Sequence, residues 1–229
     1  MTYIWSMPGA TEEYEAIRRE LCAAEMQLRD HIEQVAAMRR ELPPGPLVRD
    51  YEFLEDSDRV KLSELFAEGK PFLVMYHVMY WPDDDEFCPM CSMWADSWNG
   101  VAAHVEQSAN IVLASLAPPK TLKAWAATRE WDRIRVLADA NDSFAEDTGA
   151  QHAKGKPVST VLVFEKTSDG VRHRYTAHPE FDDESWRGID QLCATWPILD
   201  LLPSGRGDWH ARNDYITRST AGRQAARSS

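Results

Sequence analysis

The amino-acid sequence predicts an α/β protein with a mixed central sheet flanked by helices and one long helix ahead of it. Three observations lead there. Apolar runs that read as strands, at 71–79, 111–116 and 158–164, alternate with stretches of helical periodicity. The last run is followed by an Asp169-Gly170 turn and an alternating segment, VRHRYTA at 171–177, which pairs back antiparallel. Residues 11–42 carry apolar side chains three or four apart along their whole span. Strands alternating with helices imply parallel strands in the sheet, and the hairpin adds antiparallel ones.

In chain order, the first element is a helix over 11–42 with Tyr14, Ile17, Leu21, Ala24, Leu28, Ile32 and Val35 on one stripe. Thr11, followed by Glu12 and Glu13, suits its start, and Pro43, Pro44 and Pro46 end it. Such a stripe normally lies against its own domain, and a dimer contact or a lid is the sharper reading. Residues 47–70 read as a short extended piece around Tyr51 and Phe53, then a small helix holding Leu62, Leu65 and Phe66 that stops at Gly69. PFLVMYHVM at 71–79 is apolar without a break, as a strand buried on both faces is. An acidic loop, Tyr80 to Phe87, leads into a helix from Cys88. A strand at 111–116, a helix at 122–129, a short strand at 135–138 and a short helix at 144–149 follow, then the hairpin. A closing helix is expected over 186–202. The domain reading is therefore an N-terminal helical extension (1–46), one α/β domain (47–203) and a polar tail (204–229) expected to be disordered, with no periodicity from Arg218 on.

The 229 residues suffice for one substantial core. A net charge of −12 disfavours nucleic acid and anionic membranes as partners. No apolar run is long enough to span a bilayer, and Met1 to Tyr14 lacks the pattern of a signal peptide, so the expected compartment is the cytoplasm, where cysteines rest reduced.

The chemistry points to Cys88-Pro89-Met90-Cys91. This C-x-x-C falls where a helix begins just after a buried strand. Cysteines three apart meet across the first helical turn, and the unpaired N–H groups there stabilise a thiolate, the nucleophilic form. Pro89 fits a position whose N–H has no partner. Cys88, at the exposed start, should attack, and Cys91, one turn in, should resolve the mixed disulfide. Cys22 and Cys193 stand alone in sequence.

Other readings of the pair are weaker. Cys88, Cys91 and His104 match three parts of a zinc-finger spacing, but Ser108, Ala109 and Asn110 stand where the fourth ligand belongs, so no metal or other cofactor is expected. The peroxiredoxin pattern fails from Pro82, one residue short and with Glu86 in place of Ser or Thr. Four acids, Asp83 to Glu86, precede Cys88 and would oppose the helix dipole, making Cys88 a modest acid. His77 on the buried strand reads first as a core histidine and second as a proton relay to Cys91. Tyr80, Trp81 and Phe87 are expected to line a groove for an apolar or aromatic partner.

The sequence resembles a mainly bacterial thioredoxin-like family described as a domain of unknown function. The residues that carry the resemblance are Arg39-Arg40-Glu41-Leu42-Pro43, Asp50-Tyr51-Glu52-Phe53, YHVMYWP at 76–82, CPMCSMWAD at 88–96, Asn99-Gly100, His104, 114–118, and Leu199-Asp200-Leu201 with Pro203, Gly205 and Arg206. The resemblance implies a thioredoxin-like fold with Cys88 and Cys91 as its redox pair. Thioredoxins proper carry a cis-proline before the last central strand. Here that place falls at Ser159, which is thereby a substrate-side candidate, and ordinary peptide docking gives way to a more specialised role.

The function expected from the sequence is a thiol-disulfide oxidoreductase acting on a small-molecule or protein disulfide, a polysulfide or a small electrophile, with a thiol reductant to restore it. The alternatives are a biosynthetic tailoring or sulfur-transfer enzyme, and a non-catalytic binding or assembly protein. A homodimer through the N-terminal helix belongs to the same set of expectations.

Overall fold

The structure is a computed structural model and describes residues 7–140, 143–151, 155–181 and 185–214. The chain forms two compact units, residues 1–43 and 44–229. The first is helix α1 (Glu12–Glu41), in which the Tyr14 N–H donates to the Thr11 hydroxyl at 3.1 Å. Glu12, Glu13 and Glu15 sit at its N-terminal end and Arg39 and Arg40 at its C-terminal end, both favoured by the helix dipole. None of its residues is buried.

The second unit is built on a seven-stranded sheet. Its strands are β1 (Glu52–Glu55), β2 (Asp58–Lys61), β3 (Phe72–Val78), β6 (Asn110–Ser115), β7 (Arg135–Asp139), β8 (Thr160–Thr167) and β9 (Gly170–Ala177), in the order β2-β1-β7-β6-β3-β8-β9. Strands β3, β6 and β7 run parallel, joined by helices α2 (Pro89–Val105) and α3 (Pro119–Thr128), while β8 and β9 are antiparallel. Two parallel strands joined by a helix, with an antiparallel hairpin on the far side of the first strand, are the thioredoxin-like core, and this is the fold of the protein.

The sheet separates two apolar layers. On one face Tyr76 and Val78 pack with Trp94, Trp98, Leu122 and Trp196 under α2, α3 and α5 (Thr195–Leu199). On the other, Leu73 and Met75 pack with Phe53, Leu62, Phe164 and Phe144 of α4 (Phe144–Asp147). Burial on both faces is why β3 and β6 read as unbroken apolar runs. Residues 45–48 run beside β9, with the Gly45 N–H donating to the His173 carbonyl at 3.1 Å. A Cβ on Gly45 would stand 2.4 Å from that carbonyl oxygen, so only glycine allows the approach.

Two expectations change. The 47–70 segment forms a β1–β2 hairpin, with Asp56 at φ 56° in its turn, and only a 3-10 turn at Leu62–Leu65. Charged residues alternating with Phe53 and Val60 are the signature of a hairpin with one wet face, and the spacing of Leu62 and Leu65 fits a single turn as well as a helix. The closing helix shrinks to a 3-10 turn (Asp190–Leu192) and α5. Pro197 lacks the N–H an interior helical residue needs and tolerates only a first turn, so the helix cannot begin earlier. Residues 204–214 make the side-chain contacts described below, and 215–229, with the periodicity-free end from Arg218, lies outside the described residues. No helix among the described residues is long and apolar enough to cross a membrane.

Candidate functional site

Cys88 is the residue that caps α2, with Pro89 in the first turn and an extended backbone that starts the helix. The Cys88 N–H donates to the Met79 carbonyl at 3.2 Å, which ties the helix start to the end of β3. Ser92, fully buried one turn in, donates its hydroxyl to the Cys88 carbonyl at 3.1 Å and accepts the Trp125 indole N–H at 3.2 Å. Trp125 in turn stacks on Phe87, the rings 5.4 Å apart and 5° from parallel. The loop and the first turn of α2 are thus locked to α3.

All four cysteines are free thiols, and Cys88 and Cys91 each bear on the other's proton. Burial opposes ionisation of Cys91. Hydrogen bonds from the Cys88 thiol, the Tyr76 hydroxyl, the Met79 backbone N–H and the Ser159 hydroxyl outweigh it and bring Cys91 down to about 7. Cys88 goes the other way: the hydrogen bond it gives Cys91, then its own burial, hold its proton on. Tyr76 is completely buried, and burial with the neighbouring Cys91 charge keeps its hydroxyl protonated far above the usual range. Its hydroxyl meets Ser159 Oγ at 2.7 Å. Negative charge on the pair is therefore favoured on Cys91, beside four donors: Tyr76 of β3, Met79 just after it, Ser159 just before β8, and Cys88 at the start of α2.

Both cysteines line a cavity of about 450 Å³. Its walls include four indoles, Trp94, Trp186, Trp196 and Trp209, together with Met79 and Met90. The loop between β9 and α5 is bent sharply at its rim: Arg187 has φ 85°, and a Cβ on Gly188 would stand 2.4 Å from the His178 carbonyl oxygen. Arg206 closes the other side. Its guanidinium pairs with Asp190 at 2.7 Å and Asp200 at 2.6 Å and lies 4.4 Å over the Trp196 ring. Trp209 meets Trp196 edge-on at 5.5 Å, and the Asn213 amide donates to the Phe87 carbonyl at 3.1 Å. Through these contacts residues 204–214 pack against the site.

The sequence-predicted candidates divide. Cys88, Cys91 and Ser159 come together. Tyr80 and Phe87 do not reach the cavity: they pair across a two-residue hairpin, β4 (Tyr80–Trp81) and β5 (Glu86–Phe87), and their rings are buried in the core behind Cys88. Trp81 is half-buried on the same hairpin and lies outside the cavity wall as well. A short turn pulled closed by the Tyr80 hydroxyl on Asp85, which pushes Tyr80 up to about 12, turns these rings inward. The acids of that turn are not what raises Cys88. His77 cannot relay a proton to Cys91. Successive strand residues face opposite ways, so with Tyr76 toward the cysteines His77 points into the other layer, 3.2 Å from Asp139 and 6.2 Å from the Phe144 ring. His104 stands thirteen residues from Cys91 along α2, about 20 Å at 1.5 Å per residue, too far to share an ion. Among the described residues no cluster of three or more His, Cys, Asp or Glu side chains could hold a metal.

Fold and site together define a thioredoxin-like protein with a buried dithiol at the start of its first crossover helix. The chain belongs to the family described as "Bacterial protein of unknown function (DUF899)", which matches residues 6–221. A comparison with curated proteins finds no match. Among solved structures, the chain is similar to peroxidoxin BcpB from Mycobacterium tuberculosis, with 21% identity over 66% of this chain and 94% of that one and a TM-score of 0.49. A peroxiredoxin-like protein from Aquifex aeolicus has 16% identity over 60% and 77% of the two chains and a TM-score of 0.44. The exposed lipoprotein thioredoxin Etrx1 from Streptococcus pneumoniae has 18% identity over 62% and 96%, with a TM-score of 0.43.

Proposed function

We propose that the protein is a thiol-disulfide oxidoreductase that works through Cys88 and Cys91. The observation that carries this reading is the placement of the pair: Cys88 and Cys91 stand together at the start of α2 and at the wall of one cavity, which Tyr76 and Ser159, 2.7 Å apart through their hydroxyls, also line. Cys88 sulfur attacks a substrate disulfide R–S–S–R′ while its proton passes to Cys91, giving Cys88–S–S–R and, after proton transfer, R′SH. Cys91 sulfur then attacks the Cys88 sulfur, forming the internal disulfide and releasing RSH. Two electrons and the one proton of the pair have moved to the substrate, the second proton comes from water, and a dithiol reductant, small or protein, returns the pair to its starting state. A reducing compartment such as the cytoplasm suits this cycle.

The test is a redox titration of the purified protein, with free thiols counted by mass spectrometry after alkylation. Two thiols should disappear together at one potential, and the Cys88→Ser protein should lose none at that potential. Four thiols that survive mild oxidant would instead leave a protein that uses one cysteine alone, as in sulfur transfer, or none.

A further inference from the structure

Resting on the oxidoreductase reading, we infer that the substrate side of this site is built for a small, flat, uncharged aromatic disulfide, reduced to its two aryl thiols. The size is right for a small molecule: about 450 Å³ falls within the range of ordinary ligand pockets. The walls are right for a ring. Four indoles and two methionines surround the sulfurs, and indole faces and thioethers both pack favourably on aromatic groups.

Charge at the rim argues against an anionic substrate. Arg206 is engaged by Asp190 and Asp200 and stacked on Trp196, and Arg187 gives its Nε–H to Asp190 at 2.8 Å. Both guanidiniums already face carboxylates, so neither offers a carboxylate-bearing substrate the partner it would need on leaving water. His210 is the other basic side chain on this wall, and Lys156 belongs to an adjoining pocket. The net charge of −12 adds a general repulsion of anions. Two of the indoles are themselves accessible, Trp186 at 65% and Trp209 at 42% exposure, so an entering ring finds apolar surface from the mouth inward. In the reaction, Ar–S–S–Ar accepts two electrons and one proton from Cys88 and Cys91 and leaves as one ArSH and one ArS⁻, which takes its proton from water according to its own acidity, with the internal disulfide as the other product.

The experiment is a single-turnover comparison with the reduced full chain at pH 7 in 0.5 M salt, where screening over about 4 Å removes the general charge effect. The probes are 4,4′-dithiodipyridine, a neutral aryl disulfide, its dianionic counterpart 5,5′-dithiobis(2-nitrobenzoate), and glutathione disulfide. Each rate is divided by the rate of the same probe with dithiothreitol. The neutral aryl disulfide should be preferred at least tenfold over each of the others. The preference should shrink toward one in Trp186→Ala/Trp209→Ala, or in Trp186→Ala alone if the double variant does not fold by circular dichroism. A ratio near one in the native protein, or a preference that survives loss of the indoles, overturns the inference and leaves the oxidoreductase reading in place. If no disulfide is reduced, that reading fails, and calorimetry of 1-naphthol with the Cys88→Ser protein decides the rest. One-site binding lost in the Trp variant upholds an aromatic site, and absence of binding overturns it.

Discussion

At Cys91 two opposing effects meet: burial, which disfavours a thiolate, and four donors, which favour it more. Tyr76 is the donor whose removal is cleanest, since phenylalanine keeps the ring and deletes only the hydroxyl. A hydrogen bond to a charged group is worth about 1.5–3 kcal/mol, so Tyr76→Phe should raise the first ionisation of the dithiol from about 7 by about one unit or more. The sign follows from the charge. The variant loses a donor to the ionised form only, so the thiolate fraction at pH 7 falls and its recovery needs higher pH. Thiolate absorbance at 240 nm followed against pH reads this directly, and an unshifted midpoint would mean that Tyr76 does not face the charge. Sequence singled out His77, one residue further, and passed over Tyr76. A strand buried on both faces has no polar side to orient it, so the parity that puts Tyr76 toward the cysteines is invisible until the partners of each face are known.

The start of α2 shows what a single element can specify and what it cannot. Cysteine, proline and a position after an apolar strand were enough to place the dithiol, because helix N-termini have fixed donors and proline has a fixed place in them. Ser92 adds a lock that spacing alone does not reveal. Its hydroxyl joins the Cys88 carbonyl to the Trp125 indole, and it has no contact with water. Ser92→Ala leaves the indole N–H without this acceptor in the interior, so unfolding in urea should show a loss of about 1–3 kcal/mol. A change within 0.5 kcal/mol would mean that the indole finds another acceptor. The cavity itself was the least legible part. Trp186, Trp196 and Trp209 come from two loops and the short helix between them, with no common period, and Tyr80, Trp81 and Phe87 looked nearer only because they are nearer in sequence. Arg206 was visible as part of the family resemblance, yet its pairing with Asp190 and Asp200 needed the chain's return to the site.

For the whole molecule, the order of strands and helices carried the fold, because a parallel strand pair requires a crossover and a hairpin requires none. The long N-terminal helix is the element whose sequence still asks for something more. Its stripe of Ile17, Leu21, Leu28 and Ile32 is exposed, and an apolar stripe of this length is ordinarily covered. We propose that a second copy of α1, laid antiparallel, is the partner that covers it. That arrangement sets Glu12, Glu13 and Glu15 of one helix beside Arg39 and Arg40 of the other, at both ends at once. The full chain is therefore expected to sediment as a dimer and residues 44–229 as a monomer. Leu21→Glu/Leu28→Glu should dissociate the full chain without moving the first ionisation of the dithiol read at 240 nm in a Cys22→Ser background, since the dithiol and its donors all lie between residues 76 and 159. A full chain that sediments as a monomer would overturn the pairing and return the stripe to a role within its own chain.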